Sequence, residues 1–249
     1  MTYSSYTFND KNLIKRWLQR RRLIVAINIA KKTTPQCVLD FGSGNGELCK
    51  LIALQFPKAK IICYEPTPYL MKEAKENLAV VVGAQVHFCN DITQIADGSV
   101  DLIFCLEVFE HLPKAETMDA LGQVKRLLKN EGDAVLGVPI EIGIPALYKG
   151  VFRMLRRFGS FDASFKNVFL SIFYCPPKER PIAEITPGFT YHHLHMGFDY
   201  RNLKLLCNRY FKLQKTTTSP FSVFGCLLNP EVYFFLQKND HAINKDVER

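Results

Sequence analysis

Cys37-Val38-Leu39-Asp40-Phe41-Gly42-Ser43-Gly44-Asn45-Gly46 is the stretch that decides the fold. It begins as a short apolar strand, Cys37 to Leu39, and closes that strand on an acid, Asp40. Glycine then stands at every second position, Gly42, Gly44 and Gly46. Glycine is needed where the backbone takes φ > 0, or where a ligand must approach the main chain with no Cβ in the way. Beyond the turn, Glu47 to Phe56 places Leu48, Leu51, Ile52 and Phe56 at helical spacing. Strand, glycine turn and helix in that order form a ligand crevice at the strand carboxyl ends of an open α/β sheet.

The glycine spacing argues against a dinucleotide. That fingerprint is G-x-G-x-x-G and seats a pyrophosphate on the helix N-terminus. Its third position here is Glu47, whose charge would repel a phosphate, while Asp40 suits a cation or a hydrogen-bond donor. The run Asp40 to Gly46 resembles the first motif of the class I S-adenosylmethionine-dependent methyltransferases, an acid followed by G-x-G-x-G. The resemblance implies S-adenosyl-L-methionine as cofactor and S-adenosyl-L-homocysteine as product, with Asp40, Gly42, Ser43, Gly44 and Gly46 against it. It also implies an α/β fold: a Rossmann-like, doubly wound, seven-stranded and mostly parallel sheet with an antiparallel last strand.

Further along, Lys60 to Glu65 (KIICYE) reads as a second buried strand ending in an acid, 19 residues beyond Gly46. An acid at that distance, on the next strand tip, can accept both hydroxyls of a ribose. The resemblance gives Glu65 this role, with Pro66 beside it. A helix is expected from Pro66 to Val82, with Thr67 as cap and Tyr69, Leu70, Ala74 and Leu78 inward. The strand Gln85 to Asn90 leads to Asp91 and Ile92. In the family an acid and an apolar neighbour at this point hold the adenine, and Asp91-Ile92 match. The fourth strand, Val100 to Glu107, ends in Leu106 and Glu107, whose backbone the family runs along the methionine part of the cofactor. Glu110-His111-Leu112-Pro113 matches the E-H-L-P run of the broad small-molecule, type 11/12-like branch. His111 is a candidate general base by residue type, or a residue that fixes the loop by hydrogen bonds. A helix from Lys114 to Lys129 and a strand from Gly132 to Ile140 complete about 100 residues of continuous resemblance.

Four units are expected: an N-terminal helical segment (1–35), the cofactor core (36–139 and 196–238), an inserted, mostly helical substrate cap (140–195) and a polar tail (239–249). In the first, residues 9 to 31 read as an amphipathic helix opened by Asn9 or Asp10. Leu13, Trp17, Ile24 and Ile27 share one face, and Lys15, Arg16, Gln19 and Arg22 the other. It can serve as a lid or as an accessory helix packed beside the sheet. In the cap, Lys149, Arg153, Arg156 and Arg157 fall on one helical face, with Val151, Met154, Leu155 and Phe158 adjoining. Such a helix can rest on a membrane, grip an acidic substrate or simply keep its basic side in water. Asp199 is expected to cap a helix through Tyr210, and two β-rich runs, FKLQKTTT and EVYFFLQK, follow.

His192, His193 and His195 close the insertion. Alternating in an extended segment, His193 and His195 would point to one side, where they are catalytic candidates together with His111. No cysteine pair or H-x-x-E partner stands near them, so no metal is expected. Most of the eight cysteines lie in apolar runs, none forms a C-x-x-C pair, and they read as buried reduced thiols. With 47% apolar and 22% charged residues the chain supports a sizeable core. A net charge of +8 favours an anionic partner. No apolar run is long enough to span a membrane, no signal peptide is legible at the start, and a cytoplasmic location is expected. The reading is a methyltransferase acting on O or N of a small molecule, glycan or lipid-linked metabolite. The alternatives are a nucleic-acid (RNA) methyltransferase and an inactive cofactor-fold subunit that binds a partner. Against the first, the fourth strand ends in Leu106-Glu107-Val108-Phe109 and not in the Asn/Asp-Pro-Pro-aromatic run of base amino methylators.

Overall fold

A computed structural model describes residues 13–81, 83–186 and 189–239. The expected helix start at Asn9 or Asp10, and the tail from residue 240 on, lie outside them. The elements are, in order, α1 (Leu13–Ala30), β1 (Cys37–Phe41), α2 (Glu47–Gln55), β2 (Lys60–Tyr64), α3 (Pro68–Leu78) and β3 (Gln85–Cys89). Next come β4 (Val100–Leu106), α4 (Lys114–Leu127), β5 (Leu128–Pro139), α5 (Ile144–Arg157) and α6 (Phe165–Ile172). The chain continues with β6 (Ala183–Thr186), β7 (Phe189–Tyr191), α7 (Tyr200–Tyr210), β8 (Phe211–Ser219), α8 (Gly225–Leu228) and β9 (Glu231–Lys238).

Seven strands form one sheet in the order β3-β2-β1-β4-β5-β9-β8. β9 runs antiparallel to both of its neighbours, β5 and β8, and the other six strands run one way. The strand order reverses between β1 and β4, which places the crevice of a doubly wound sheet at the end of β1. Both faces are covered, so the central strands bury every position instead of alternating. Val38, Leu102, Phe104 and Tyr233 face α1 and α2, against Ala26, Ile27, Leu48 and Ile52. Leu39, Ile103, Leu136 and Phe234 face α4 and α7, against Leu121, Val124, Leu203 and Cys207. Each such aliphatic side chain contributes about 2 kcal/mol of burial.

Several local expectations are corrected. α4 stops at Leu127 and the chain turns directly into β5, because the Gly98 and Ser99 amides take up the carbonyls of Arg126 and Leu127. α3 starts at Pro68 and buries Met71, Ala74 and Leu78, leaving Tyr69 in water. In α1, Ile24 is exposed, while the arginine assigned to the outer face, Arg22, is drawn inward between two acids. The eight cysteines are free as expected, but Cys175 is exposed and not buried.

After β5 the chain leaves the sheet through Glu141, whose side chain is fully buried. Gly143, at φ 69°, turns the chain into α5, and Pro145 occupies its first turn. Lys149 Nζ reaches Glu141 Oε1 at 3.0 Å. Arg153 grips the same carboxylate with two bonds, Nη1–Oε2 at 2.7 Å and Nη2–Oε1 at 2.9 Å. These two cations therefore point into the protein, contrary to the basic outer face expected of this helix. Gly150 lets α6 close in, since a Cβ there would meet Val168 Cγ1 at 2.5 Å. Ser164 caps α6 by accepting from the Asn167 amide, and Asp199 caps α7 by accepting from the Arg201 amide.

Candidate active site

The glycine turn gives the site its floor. Gly42, Gly44 and Gly46 all have positive φ, at 76°, 53° and 78°. Each needs glycine for a further reason of its own. A Cβ on Gly42 would strike Val108 Cγ2 at 2.5 Å, and one on Gly46 would strike Leu78 Cδ1 at 2.9 Å. A Cβ on Gly44 would meet nothing within 4 Å, so this backbone lies open. Gly44 borders a cleft of about 360 Å³ together with Asp40, Ser43, Asn45, Glu65, Pro66, Leu106 and Glu107. Gly46 does not: its α-carbon is turned to α3, and it serves the packing of the turn.

Asp40 and Glu65 stand on neighbouring strand ends, since Asp40 pairs with Cys63 two residues before Glu65. Both are buried, at 2% and 5% exposure. Glu65 is held by two amides, accepting from Gly44 N at 2.9 Å and from Thr67 N at 2.9 Å. Among the described residues, Asp40 receives only a weak bond from Cys49 Sγ at 3.3 Å. Burial, seconded by the nearby Glu65, pushes the Asp40 carboxyl up to about 7, against the pull of the Cys49 hydrogen bond. The Asn45 side-chain nitrogen, also on the cleft, is buried with no hydrogen-bond partner among the described residues.

Asp91 and Ile92 stand apart from this group. Neither borders the cleft, and Asp91 is exposed, spending its carboxylate on the Thr93 amide (2.9 Å) and hydroxyl (2.7 Å). Asp91 thereby caps the short helical turn Ile92–Gln94.

The opposite wall comes from α1 through Gln19, Arg22 and Leu23. Arg22 pairs with Glu107 at 2.9 Å and with Glu231, at the start of β9, at 3.2 Å. Glu107 takes φ 57°, a strained conformation costing about 1 kcal/mol or more, which turns its carboxyl towards Arg22. Burial raises three acids here: Glu107 to about 7, and Glu110 and Glu231 to about 8. Glu107 Oε1 and Glu231 Oε2 are buried with no hydrogen-bond partner among the described residues, so Arg22 is the group that both acids share. Arg22 and Glu231 are functional candidates that sequence reading missed. They lie 209 residues apart, and no motif links them.

His111 reaches the cleft beside Tyr191. Its Nδ1 lies 2.8 Å from the His192 carbonyl, and the His192 amide donates to the His111 carbonyl at 2.7 Å. Nδ1 therefore carries the hydrogen, and Nε2 keeps its lone pair. Burial lowers the His111 pKa below the usual value, so the ring is neutral at pH 7. His195 stacks edge-on against His111, with centroids 4.8 Å apart, and burial holds it down to about 3. His193 is exposed and does not border the cleft. The expected common side for His193 and His195 is lost because strand geometry ends at Tyr191, where His192 bonds back to the His111 loop. Glu110, His111 and His195 offer ligand atoms that lie within 4.8 Å of one another.

Residues 39–134 match the family described as a methyltransferase domain. A malonyl-[acyl-carrier protein] O-methyltransferase of Geobacter sulfurreducens is 26% identical over 132 residues, 52% of this chain and 46% of that protein. The chain thus matches less than half the length of that relative. Among solved structures, the PH0226 protein from Pyrococcus horikoshii superposes with a TM-score of 0.61 at 14% identity, covering 95% of this chain and 96% of its own. Magnesium protoporphyrin IX methyltransferase from Synechocystis, with bound S-adenosyl-L-homocysteine, gives 0.59 at 15% identity over 94% and 92%. The N-methyltransferase NodS from Bradyrhizobium japonicum, also holding that compound, gives 0.57 at 12% identity over 93% and 90%. Among the described residues, no helix is long and apolar enough to cross a membrane.

Proposed function

We propose that this chain is a class I S-adenosylmethionine-dependent methyltransferase that transfers a methyl group to O or N of a small molecule, glycan or lipid-linked metabolite. One observation carries the reading. Two buried carboxylates, Asp40 and Glu65, border one cleft over an open glycine backbone, with no cation of the turn to neutralise them.

The residues fit S-adenosyl-L-methionine. Asp40 has no strong donor and a raised pKa, so an arriving ammonium supplies the partner that the folded chain leaves out. Glu65 uses one lone pair on each oxygen for an amide and keeps the others for ribose hydroxyls. The Gly44 backbone accepts close approach, and Asn45 brings a donor that lacks an acceptor. Arg22 stays charged among three acids raised by burial and has its Nε without a partner among the described residues, which suits the cofactor's carboxylate. Leu106 and Glu107 form the wall between these groups. When bound, S-adenosyl-L-methionine supplies an electrophilic methyl group on a sulfonium.

The chain's own part is to orient the acceptor and take its proton. His111 is the group assigned to the proton: it is neutral, its Nδ1–H is fixed by the His192 carbonyl, and its Nε2 is free to accept. His195 is assigned to hold the His111 ring edge-on. The test has two stages. S-adenosyl-L-homocysteine should bind in calorimetry to the full chain, and binding should fall at least about tenfold in Asp40→Asn and Glu65→Gln. Methyl-labelled cofactor is then offered with separate small-molecule, glycan, lipid and RNA fractions. Label in the RNA fraction alone overturns the acceptor class, and unaltered binding in both variants overturns the site.

A further inference from the structure

The cap helix α5 has its amphipathicity turned inside out. Its charged residues Lys149 and Arg153 face inward, where Glu141 holds them. Its apolar stripe faces water: Ile144, Leu147, Tyr148, Val151, Phe152 and Leu155 follow at helical spacing, and Leu155 is 82% exposed. The stripe continues onto α6, where Phe165, Phe169 and Phe173 recur every fourth residue and are 73%, 61% and 62% exposed. Phe158 joins the two helices by packing edge-on to Phe165, with centroids 5.9 Å apart. On the other side, the Tyr148 hydroxyl donates to the Leu228 carbonyl at 3.2 Å, which brings α8 alongside. There Phe221, Val223, Phe224 and Leu227 are exposed too.

Tyr148, Phe152, Phe158, Phe165, Phe169 and Phe173 alone leave on the order of 600 Å² of aromatic surface in water, at the upper end of what an ordinary monomer shows, before the aliphatic residues are added. Folding does not require this arrangement. A solvent-facing helix would ordinarily show its cations and hide its leucines.

The charge around the face selects the occupant. Between residues 142 and 173 one acid occurs, Asp162, and it is buried against Arg157. Between residues 220 and 230 there is none. The exposed charges of the two cap helices are Arg156, Arg157 and Lys166, on a chain of net charge +8. A second copy of the same face would set basic rim against basic rim with no acid to meet it. Phe, Leu and Tyr flanked by Arg and Lys along helices presenting one face is the composition that settles into the headgroup boundary of a bilayer. We propose that the outer face of the cap, α5 and α6 with the turn at residues 221–228, docks on an anionic lipid surface. Trp17 stacks on Phe221, 6.1 Å between centroids, two residues before the Gln19 that lines the cleft. Docking therefore brings the α1 wall of the cleft towards the membrane, whatever the acceptor is.

The test is co-sedimentation of the full chain with vesicles of phosphatidylglycerol and phosphatidylcholine in equal parts, beside vesicles of phosphatidylcholine alone. The wild type should pellet with the anionic vesicles and be released by added salt. Leu155→Asp with Phe169→Asp should lower the partition about tenfold or more, with an unchanged thermal midpoint. Arg156→Glu with Lys166→Glu should lower it about tenfold on the anionic vesicles. Cofactor binding should persist in both variants, because neither pair touches the cleft. A wild type that stays in the supernatant, or a Leu155→Asp/Phe169→Asp variant that pellets like the wild type, overturns the proposal. So does a wild-type dimer in light scattering that this variant splits without any vesicle binding, which would give the face to a second copy.

Discussion

Binding of S-adenosyl-L-homocysteine is expected to strengthen about tenfold per pH unit between about pH 5 and pH 7 and to level off near pH 8. The cause is Asp40, 2% exposed and raised from 3.8 to about 7 in the free chain. At 1.36 kcal/mol per unit, ionising it in the cleft costs about 4 kcal/mol, and burial this deep leaves little solvent screening to discount. Below pH 7 the ligand's ammonium must first displace the proton; above it the carboxylate is already waiting. Calorimetry at several pH values reads the slope. Repeating the titration at pH 6 in buffers of different ionisation enthalpy should show about one proton released per ligand bound. Asp40→Asn should lose both the affinity and the slope. Glu107→Gln is the control, because Glu107 borders the same cleft and also titrates near 7. An affinity that stays flat from pH 5 to pH 8, or a slope that survives in Asp40→Asn, refutes the reasoning.

Glu141→Gln should cost about 3 kcal/mol in urea unfolding, since it leaves Arg153 with Asp162 as its acid and Lys149 with no acid in the interior. The figure sits at the low end because Lys149 keeps the Ile140 and Pro230 carbonyls; a loss below about 1 kcal/mol would refute it. Asp40, Glu107, Glu110 and Glu231 all have folded pKa values above their ordinary ones, and above about pH 6.5 the buried histidines are neutral in both states, so the folded chain holds more protons than the unfolded between roughly pH 6.5 and pH 8. Stability should therefore fall as pH rises through that window, and the fall should be shallower in Glu110→Gln; a rising or flat urea midpoint contradicts this. Gly44→Ala should leave the unfolding free energy within about 1 kcal/mol of wild type but weaken cofactor binding, because its Cβ enters the open cleft. Gly42→Ala should lower stability by about 2 kcal/mol, because positive φ and the Val108 contact act together; equal midpoints for the two variants would sink the distinction.

The acid-glycine turn and the strand-end acid beside it were legible because they are local. Asp40 and the three glycines lie within seven residues, and Glu65 follows at the tip of the adjacent parallel strand, where chain topology leaves little freedom. Asp91 shows the limit of that logic, since an acid at the expected spacing can still spend both bonds on its own turn. The histidines show another: alternation predicts a shared side only while the segment stays extended, and the bond from His192 to His111 ends the strand one residue earlier.

By itself the sequence determined the individual strands and helices of the core and the acid-glycine turn, because apolar runs, turns and strand-end acids are set by neighbours in the chain; the order of the strands came from the structure. The tertiary structure alone decided which side of a helix faces inward. α1 and α5 each carry an apolar and a basic face, and periodicity assigns the apolar one to the interior. Buried acids from distant positions, Glu107 and Glu231 for Arg22 and Glu141 for Lys149 and Arg153, reversed that choice. A charge in a low-dielectric interior must find its partner wherever the fold puts it, and no pattern along the chain records that meeting.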